Sequence, residues 1–99
     1  MLTGNKAAAW GARMAGVEYV PAFPITPQTE IIETLAKWFA DGTLQGKFTN
    51  MDSEHSMFMA AGSAGATGVR VFTASSSQGI LHGMESLYTI SGWRTPMVI

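Results

Sequence analysis

Residues 53–79 read SEHSMFMAAGSAGATGVRVFTASSSQG, and we predict from them one complete unit of helix, strand and turn. Ser53 is a favourable N-cap residue, and we predict a helix over residues 54–67. This helix carries small or apolar residues on nearly all sides, so we expect it to be buried, with another backbone packed closely against it. Residues 70–74 are predicted as a strand, and residues 75–77 as a turn that leads into the next helix.

The alternation of helices and strands continues on both sides of this unit. We predict further helices over residues 5–15, 27–40 and 78–91 and further strands over residues 17–22, 47–51 and 95–99. Asn5 and Thr26 are the expected N-caps of the first two helices, and Pro27 suits the first helical position. Pro21 cannot donate to a ladder, so we place it at a strand end or at an unpaired position. The order α-β-α-β-α-β-α-β predicts an α/β fold with a parallel sheet between two layers of helices.

Composition excludes several classes of protein. The 99 residues include six Lys and Arg, seven Asp and Glu and no cysteine, so we expect no nucleic-acid surface, no disulfide scaffold and no cluster ligated from within the chain. No apolar run is long enough for a membrane span and no leader opens the chain, so we expect a cytoplasmic protein. Charged residues make up 13%, against about 25% in ordinary soluble domains. We therefore expect other protein to cover much of the surface, with this chain as the N-terminal piece of something larger.

Polar residues follow three of the predicted strands, where open parallel sheets bind ligands. These segments are residues 24–27, 52–55 and 75–78. Glu54 begins the buried helix, where a carboxylate either stabilises the helix dipole or, desolvated beside a cavity, exchanges a proton with a ligand. Thr26 either caps a helix or adds a directed contact at a helix N-terminus suited to a carboxylate or phosphate. Pro24 and Pro27 stiffen the loop around it.

Two other chemistries find little support in the sequence. The serine-rich turn resembles a nucleophile elbow, but Ser75 stands where the G-x-S-x-G pattern needs its first glycine, so we do not predict a hydrolase. Asp52, Glu54 and His55 are too close in sequence to converge readily on a metal ion. His82 is expected to be remote from them. We therefore predict no metal site within this chain.

Four segments in the same order resemble one known family. The segments are GNKAA at residues 4–8, AFPITPQTEI at 22–31, SEHS at 53–56 and FTASSSQG at 72–79. Together they resemble the N-terminal domain of 2-oxoacid:ferredoxin oxidoreductase α subunits, pyruvate synthase in particular. The resemblance covers nearly the whole chain. It implies a three-layer parallel sheet of the thiamine diphosphate-binding type, in which residues 1–99 form the N-terminal part of the domain that receives the aminopyrimidine.

The resemblance also implies roles for individual residues. Glu54 corresponds to the glutamate that hydrogen-bonds a pyrimidine ring nitrogen, Pro24 lies beside the cofactor, and Thr26 helps to hold the substrate carboxylate. The family converts a 2-oxoacid, here most simply pyruvate, to acyl-coenzyme A and carbon dioxide, and passes electrons through iron–sulfur clusters to ferredoxin or flavodoxin. The diphosphate and its Mg²⁺ belong to a partner domain, and the clusters to other domains or subunits.

The implied enzyme is a dimer of multi-subunit units, within which this chain alone would be inert. The chain departs from the family pattern in two places, since Phe23 replaces a tyrosine and Pro21 replaces a small residue. The family's carboxylate-binding arginine is expected beyond Ile99, and Arg94 precedes the last strand and is not a candidate. Two alternatives remain open at this point: a non-catalytic module whose small-residue helix only packs subunits, and another thiamine diphosphate enzyme.

Overall fold

The structure is a computed structural model that describes residues 2–99, and the elements of this part of the chain alternate as an α/β fold requires. The helices are α1 (Gly4–Met14), α2 (Thr29–Asp41), α3 (Glu54–Ala66), α4 (Gln78–His82) and α5 (Met84–Trp93). The strands are β1 (Tyr19–Ala22) and β2 (Lys47–Asn50). Helices α1 and α2 pack on one face of the sheet and α3 and α5 on the other, which confirms the predicted three-layer arrangement.

The sheet is parallel, with Tyr19 opposite Lys47 at one end of the β1–β2 pair and Ala22 opposite Asn50 at the other. Single parallel bridges extend it beyond β1, from Tyr19 to Val71 and from Phe72 to Val98 (the latter within the last predicted strand). The segments predicted as strands over residues 70–74 and 95–99 therefore lie in the expected places. They form single bridges, however, so the prediction of full strands there is wrong.

Pro21 explains why pairing stops after one bridge. Tyr19 donates its N–H to the Arg70 carbonyl and accepts from the Phe72 N–H, so this edge of β1 starts a regular ladder. Two residues further on, Pro21 meets the same edge but has no N–H to continue the ladder. Its carbonyl accepts instead from the Thr73 hydroxyl at 2.8 Å. Pro21 thus stands inside β1, opposite Thr49, and not at the strand's end.

The helix starts differ from the predictions at two loops. Thr3, not Asn5, caps α1, and its hydroxyl accepts from the Lys6 N–H. Helix α2 begins at Thr29, and Gln28 occupies the N-cap position. The predictions of Thr26 as N-cap and of Pro27 as first helical residue are therefore wrong. The Gln28 N–H closes a turn onto the Ile25 carbonyl at 3.0 Å, and this turn uses the residues expected to open the helix.

Helix α3 matches its prediction most closely at its ends. The Ser53 hydroxyl accepts from the Ser56 N–H at 3.2 Å, as an N-cap should, and Gly68 adopts a positive φ of 92° beyond the last turn. Burial is confined to one face, however, and Ser63 and Ala66 are exposed, so the expected burial on nearly all sides is wrong. The close approach of another backbone is confirmed, since a Cβ on Gly65 would lie 2.7 Å from the Pro96 carbonyl oxygen.

The last predicted helix, residues 78–91, is broken at Gly83 into α4 and α5. A Cβ on Gly83 would lie less than 3.0 Å from two atoms of the Phe58 ring. Phe58 is fully buried in the cluster between α3 and α5, together with Met57 and Ile90. The chain can change direction this close to the core because it carries no side chain at the junction.

Candidate active site

Glu54 is the buried acid at the carboxyl edge of the sheet. It is the first residue of α3, directly after the Ser53 cap, and only 5% of it is exposed. Its position at the helix N-terminus gives the carboxylate a favourable interaction with the helix dipole. Glu54 is therefore buried as expected, but the first turn as a whole is not, since the His55 side chain is 46% exposed.

His82 is the side chain that holds the Glu54 carboxylate. Its Nδ1 lies 2.9 Å from Glu54 Oε1, and its side chain is 61% exposed whereas that of Glu54 is 7% exposed. The placement of His82 far from Glu54 in the sequence interpretation is therefore wrong. The short helix α4 ends at His82, and the break at Gly83 brings this end back onto the first turn of α3.

Two glycines make this docking possible. Gly79 in α4 and Gly83 directly after its end are four residues apart and therefore lie on the same side of the chain. A Cβ on Gly79 would lie 2.9 Å from Glu54 Oε2 and closer still to the Ser75 hydroxyl oxygen. A Cβ on Gly83 would meet the Phe58 ring and the Glu54 carbonyl oxygen, the latter at 3.3 Å. Because these two positions have no side chains, the backbone rests directly against the acid.

The Ser75 hydroxyl is a second polar group beside the acid. Its oxygen is buried, and no residue between Leu2 and Ile99 provides it with a hydrogen-bond partner. Unpaired buried hydroxyls are costly, so native structures usually supply a partner from protein, water or ligand. The Ser75 oxygen and Glu54 Oε2 both lie against Gly79, too close to admit a Cβ at that position.

The loop before α2 reaches the same edge through a backbone contact. The Ser76 hydroxyl donates to the Thr26 carbonyl at 2.8 Å, which joins this loop to the serine-rich turn. The Thr26 side chain and Pro24 are both exposed on the loop. Phe23 instead turns inward and packs against the cluster between α3 and α5. The three predicted loop segments therefore do gather at one edge, with Glu54 buried and Thr26 at the surface.

A second histidine–glutamate pair lies near the first turn of α3. His55 Nε2 lies 3.3 Å from Glu85 Oε1, and the Glu85 side chain is 86% exposed.

Over residues 2–99, no three or more His, Asp and Glu side chains are grouped so as to hold a metal ion. In the same range no helix combines the length and apolar character needed to cross a membrane.

Two open cavities lie away from this edge. One of about 520 Å³ adjoins the beginnings of both strands, at Tyr19 and Lys47. The other, of about 750 Å³, lies between α1 and residues 68–72 and 96–98, and its walls are mainly apolar. Neither of these cavities is lined by Glu54.

A parallel sheet between two layers of helices, with a buried carboxylate where a strand meets the next helix, is the architecture of an open-sheet α/β domain. Residues 10–99 match the family model described as pyruvate flavodoxin/ferredoxin oxidoreductase, thiamine diphosphate-binding. The chain belongs to this family.

Curated relatives and a solved structure agree with the assignment. The pyruvate synthase subunit PorA of Methanothermobacter thermautotrophicus is 44% identical over 99 residues, which are 100% of this chain and 26% of the relative. The ketoisovalerate oxidoreductase subunit VorA of Pyrococcus horikoshii is 46% identical over 99 residues, which are 100% of this chain and 25% of the relative. The chain thus spans about a quarter of the length of these relatives.

The structural comparison supports the same fold. The 2-oxoglutarate:ferredoxin oxidoreductase from Magnetococcus marinus, solved with 2-oxoglutarate, coenzyme A and succinyl-coenzyme A bound, superposes with a TM-score of 0.73 at 28% identity. The match covers 80% of this chain and 14% of that one. The resemblance stated from the sequence motifs is confirmed, as is the α/β fold with a parallel sheet.

Proposed function

We propose that residues 1–99 form the N-terminal part of the domain that binds the aminopyrimidine of thiamine diphosphate in a 2-oxoacid:ferredoxin oxidoreductase. The observation that carries the proposal is the buried Glu54 carboxylate at the carboxyl edge of a sheet in this family. The chain acts within an assembled enzyme and is inactive alone. Residues outside it supply the diphosphate site with Mg²⁺, the iron–sulfur clusters and the arginine for the substrate carboxylate.

The side chains at this edge fit an aminopyrimidine. A buried carboxyl can share a proton with a ring nitrogen, because burial removes the water that would otherwise compete for it. The Ser75 hydroxyl beside it has no partner among the described residues and can hydrogen-bond a polar ligand. When bound, thiamine diphosphate supplies the carbon nucleophile and the electron sink for decarboxylation.

Three residues of this chain then have defined roles. Glu54 binds the pyrimidine nitrogen and gives and takes its proton, and Pro24 packs against the cofactor from the loop before α2. Thr26 directs its hydroxyl to the substrate carboxylate. Since Thr26 does not cap α2, this contact rests on its exposed place in the loop and on the Ser76 hydrogen bond that fixes its backbone.

The complete enzyme that we propose oxidises a 2-oxoacid to acyl-coenzyme A and carbon dioxide in the cytoplasm and passes electrons to ferredoxin or flavodoxin. It is built from several subunits as a dimer of such units. Pyruvate is the proposed substrate. Because the relatives named for pyruvate and for ketoisovalerate are 44% and 46% identical to this chain, ketoisovalerate is the second candidate. Comparing kcat/KM for the two acids decides between them.

The test is Glu54→Gln in the complete enzyme. Gln keeps the size of the side chain but cannot exchange a proton, so turnover should fall by about 10²-fold to 10⁴-fold, the range for a lost general acid–base group. Glu85→Gln is the matched control, because that carboxylate is 86% exposed, and its turnover should stay within about twofold of the wild type. Turnover of Glu54→Gln within about twofold of the wild type would contradict the proposed role.

A further inference from the structure

The contact between His82 and Glu54 joins a buried acid to an exposed base. His82 Nδ1 lies 2.9 Å from Glu54 Oε1, within ordinary hydrogen-bond distance. The imidazole side chain is 61% exposed, so water reaches the ring, whereas the carboxylate is 7% exposed. The other carboxylate oxygen, Oε2, lies on the side of Gly79, where a Cβ would come within 2.9 Å of it. The exposed group that contacts the acid is therefore His82.

We propose that His82 is the proton relay of Glu54, a role that rests on the function proposed above. When Glu54 gives its proton to a ligand nitrogen, the Nδ1 proton of His82 passes to Glu54 Oε1 while Nε2 takes a proton from water. The ring gains one proton and loses one, so it changes tautomer and keeps its charge. The reverse sequence returns a proton to solvent. His82 acts through Glu54 and also fixes the orientation of the carboxylate.

The chemistry of the pair suits this task better than a purely structural one. A buried carboxylate that takes part in proton exchange needs a path to water, and imidazole is the side chain that transfers protons most readily near neutral pH. A role limited to stability would not need a ring that is mostly exposed. The neighbouring His55 makes its own contact with Glu85 at 3.3 Å, at the surface, and provides a comparison within the same region of the fold.

The test uses the complete enzyme loaded with thiamine diphosphate and compares His82→Asn and His82→Ala with the wild type. Asn keeps a donor near the place of Nδ1 but cannot pass a proton on. One readout is cofactor affinity, measured by titration calorimetry. The second readout is the rate at which the thiazolium C2 proton of the bound cofactor exchanges with D₂O, followed by NMR after acid quench. His55→Asn is the matched control.

We expect exchange to slow by about 10-fold to 100-fold in both His82 variants, since a positioned proton-transfer group contributes about that much or more. Cofactor affinity should stay within about threefold in His82→Asn, and added imidazole should restore exchange in His82→Ala. His55→Asn should exchange like the wild type.

Other results would overturn the relay. Exchange at the wild-type rate in His82→Asn, or no rescue of His82→Ala by imidazole, shows that the proton takes another path. A loss of cofactor affinity that matches the loss of exchange shows that His82 only supports the fold. In these cases the proposed function still stands if Glu54→Gln abolishes exchange. If the wild-type enzyme binds no thiamine diphosphate, or if Glu54→Gln exchanges normally, both proposals fail.

Discussion

Replacing Gly65 with alanine tests how closely α3 packs against the rest of the chain. A Cβ at this position would lie 2.7 Å from the Pro96 carbonyl oxygen and 2.7 Å from Thr95 Cγ2. An ordinary contact begins at 3.4 Å, so the neighbouring backbone must move by about 0.7 Å to restore one. The carbonyl cannot rotate away as a flexible side chain would, and the segment that carries it leads into the bridge at Val98.

The expected cost follows from two opposing effects. Forcing an extra carbon into a well-packed interior costs about 1–3 kcal/mol, and alanine in a helix gains about 0.5–1 kcal/mol over glycine. The two ranges leave a net loss of about 0–2.5 kcal/mol, so Gly65→Ala should lower the free energy of unfolding by roughly 1–2 kcal/mol, near the middle of that range. This loss corresponds to about 5-fold to 30-fold in the equilibrium between folded and unfolded states. The urea-unfolding midpoint of the purified protein measures the change.

Gly92→Ala is a closely matched control for this substitution. Gly92 is the residue before the last in α5, as Gly65 is in α3, and a Cβ there would have no heavy atom within 4 Å. Only the helix-propensity gain should remain, so Gly92→Ala should be stabilised by about 0.5–1 kcal/mol. If the two variants shift the midpoint equally in the stabilising direction, the close approach of Pro96 to α3 is wrong.

Two further predictions concern the ends of helices. Ser53→Ala removes the hydroxyl that accepts from the Ser56 N–H, so stability should fall by about 1 kcal/mol in the same urea assay, and an unchanged midpoint would show that this cap is dispensable. At the end of α2, hydrogen bonds from the backbone N–H and the hydroxyl of Thr43 hold the pKa of Asp41 below its ordinary value of 3.8. The pKa of Asp41 is lower in the folded state than in the unfolded state, so the ionised carboxylate stabilises the fold. This contribution to the free energy of unfolding is complete above pH 3.8 and disappears as the pH falls through the lowered pKa. The gap between wild type and Asp41→Ala should thus narrow from pH 6 to pH 3, as compared by urea midpoints at matched pH, and a constant gap would count against this cause.

Local signals in the sequence were sufficient for much of the fold. The Ser53 cap and Gly68 bracket α3 correctly, and the alternation of helices and strands predicts the parallel sheet. The lengths of the strands predicted over residues 70–74 and 95–99 could not be derived in this way. They depend on the fact that Pro21 meets the edge of β1 that faces Val71 and has no N–H to donate there. That edge is a matter of register between distant segments, and register is set by tertiary pairing.

The same distinction between local signals and tertiary pairing explains why only part of the site was predictable. Glu54 could be found because its position follows from one helix start, whereas the contact with His82 depends on how α4 docks. The apolar pattern over residues 78–91 continues through Gly83, since a single glycine is tolerated inside a helix pattern. A signal was nevertheless present: Gly79 and Gly83 lie one helical turn apart, which is typical of a helix face that another element approaches closely.

The glycines also bear on the alternative that α3 serves only to pack subunits. That reading needs the small-residue face of the helix to be available to another protein. In the structure the face is used within the chain: Gly62 lies against Ile90, and Gly65 against the Pro96 carbonyl. The large apolar side chains that remain most exposed are elsewhere, with Met14 at 83%, Leu81 at 71% and Tyr88 at 75%. The glycines of α3 are therefore engaged within the chain, and the exposed side of this helix carries other small residues, such as Ser63 and Ala66.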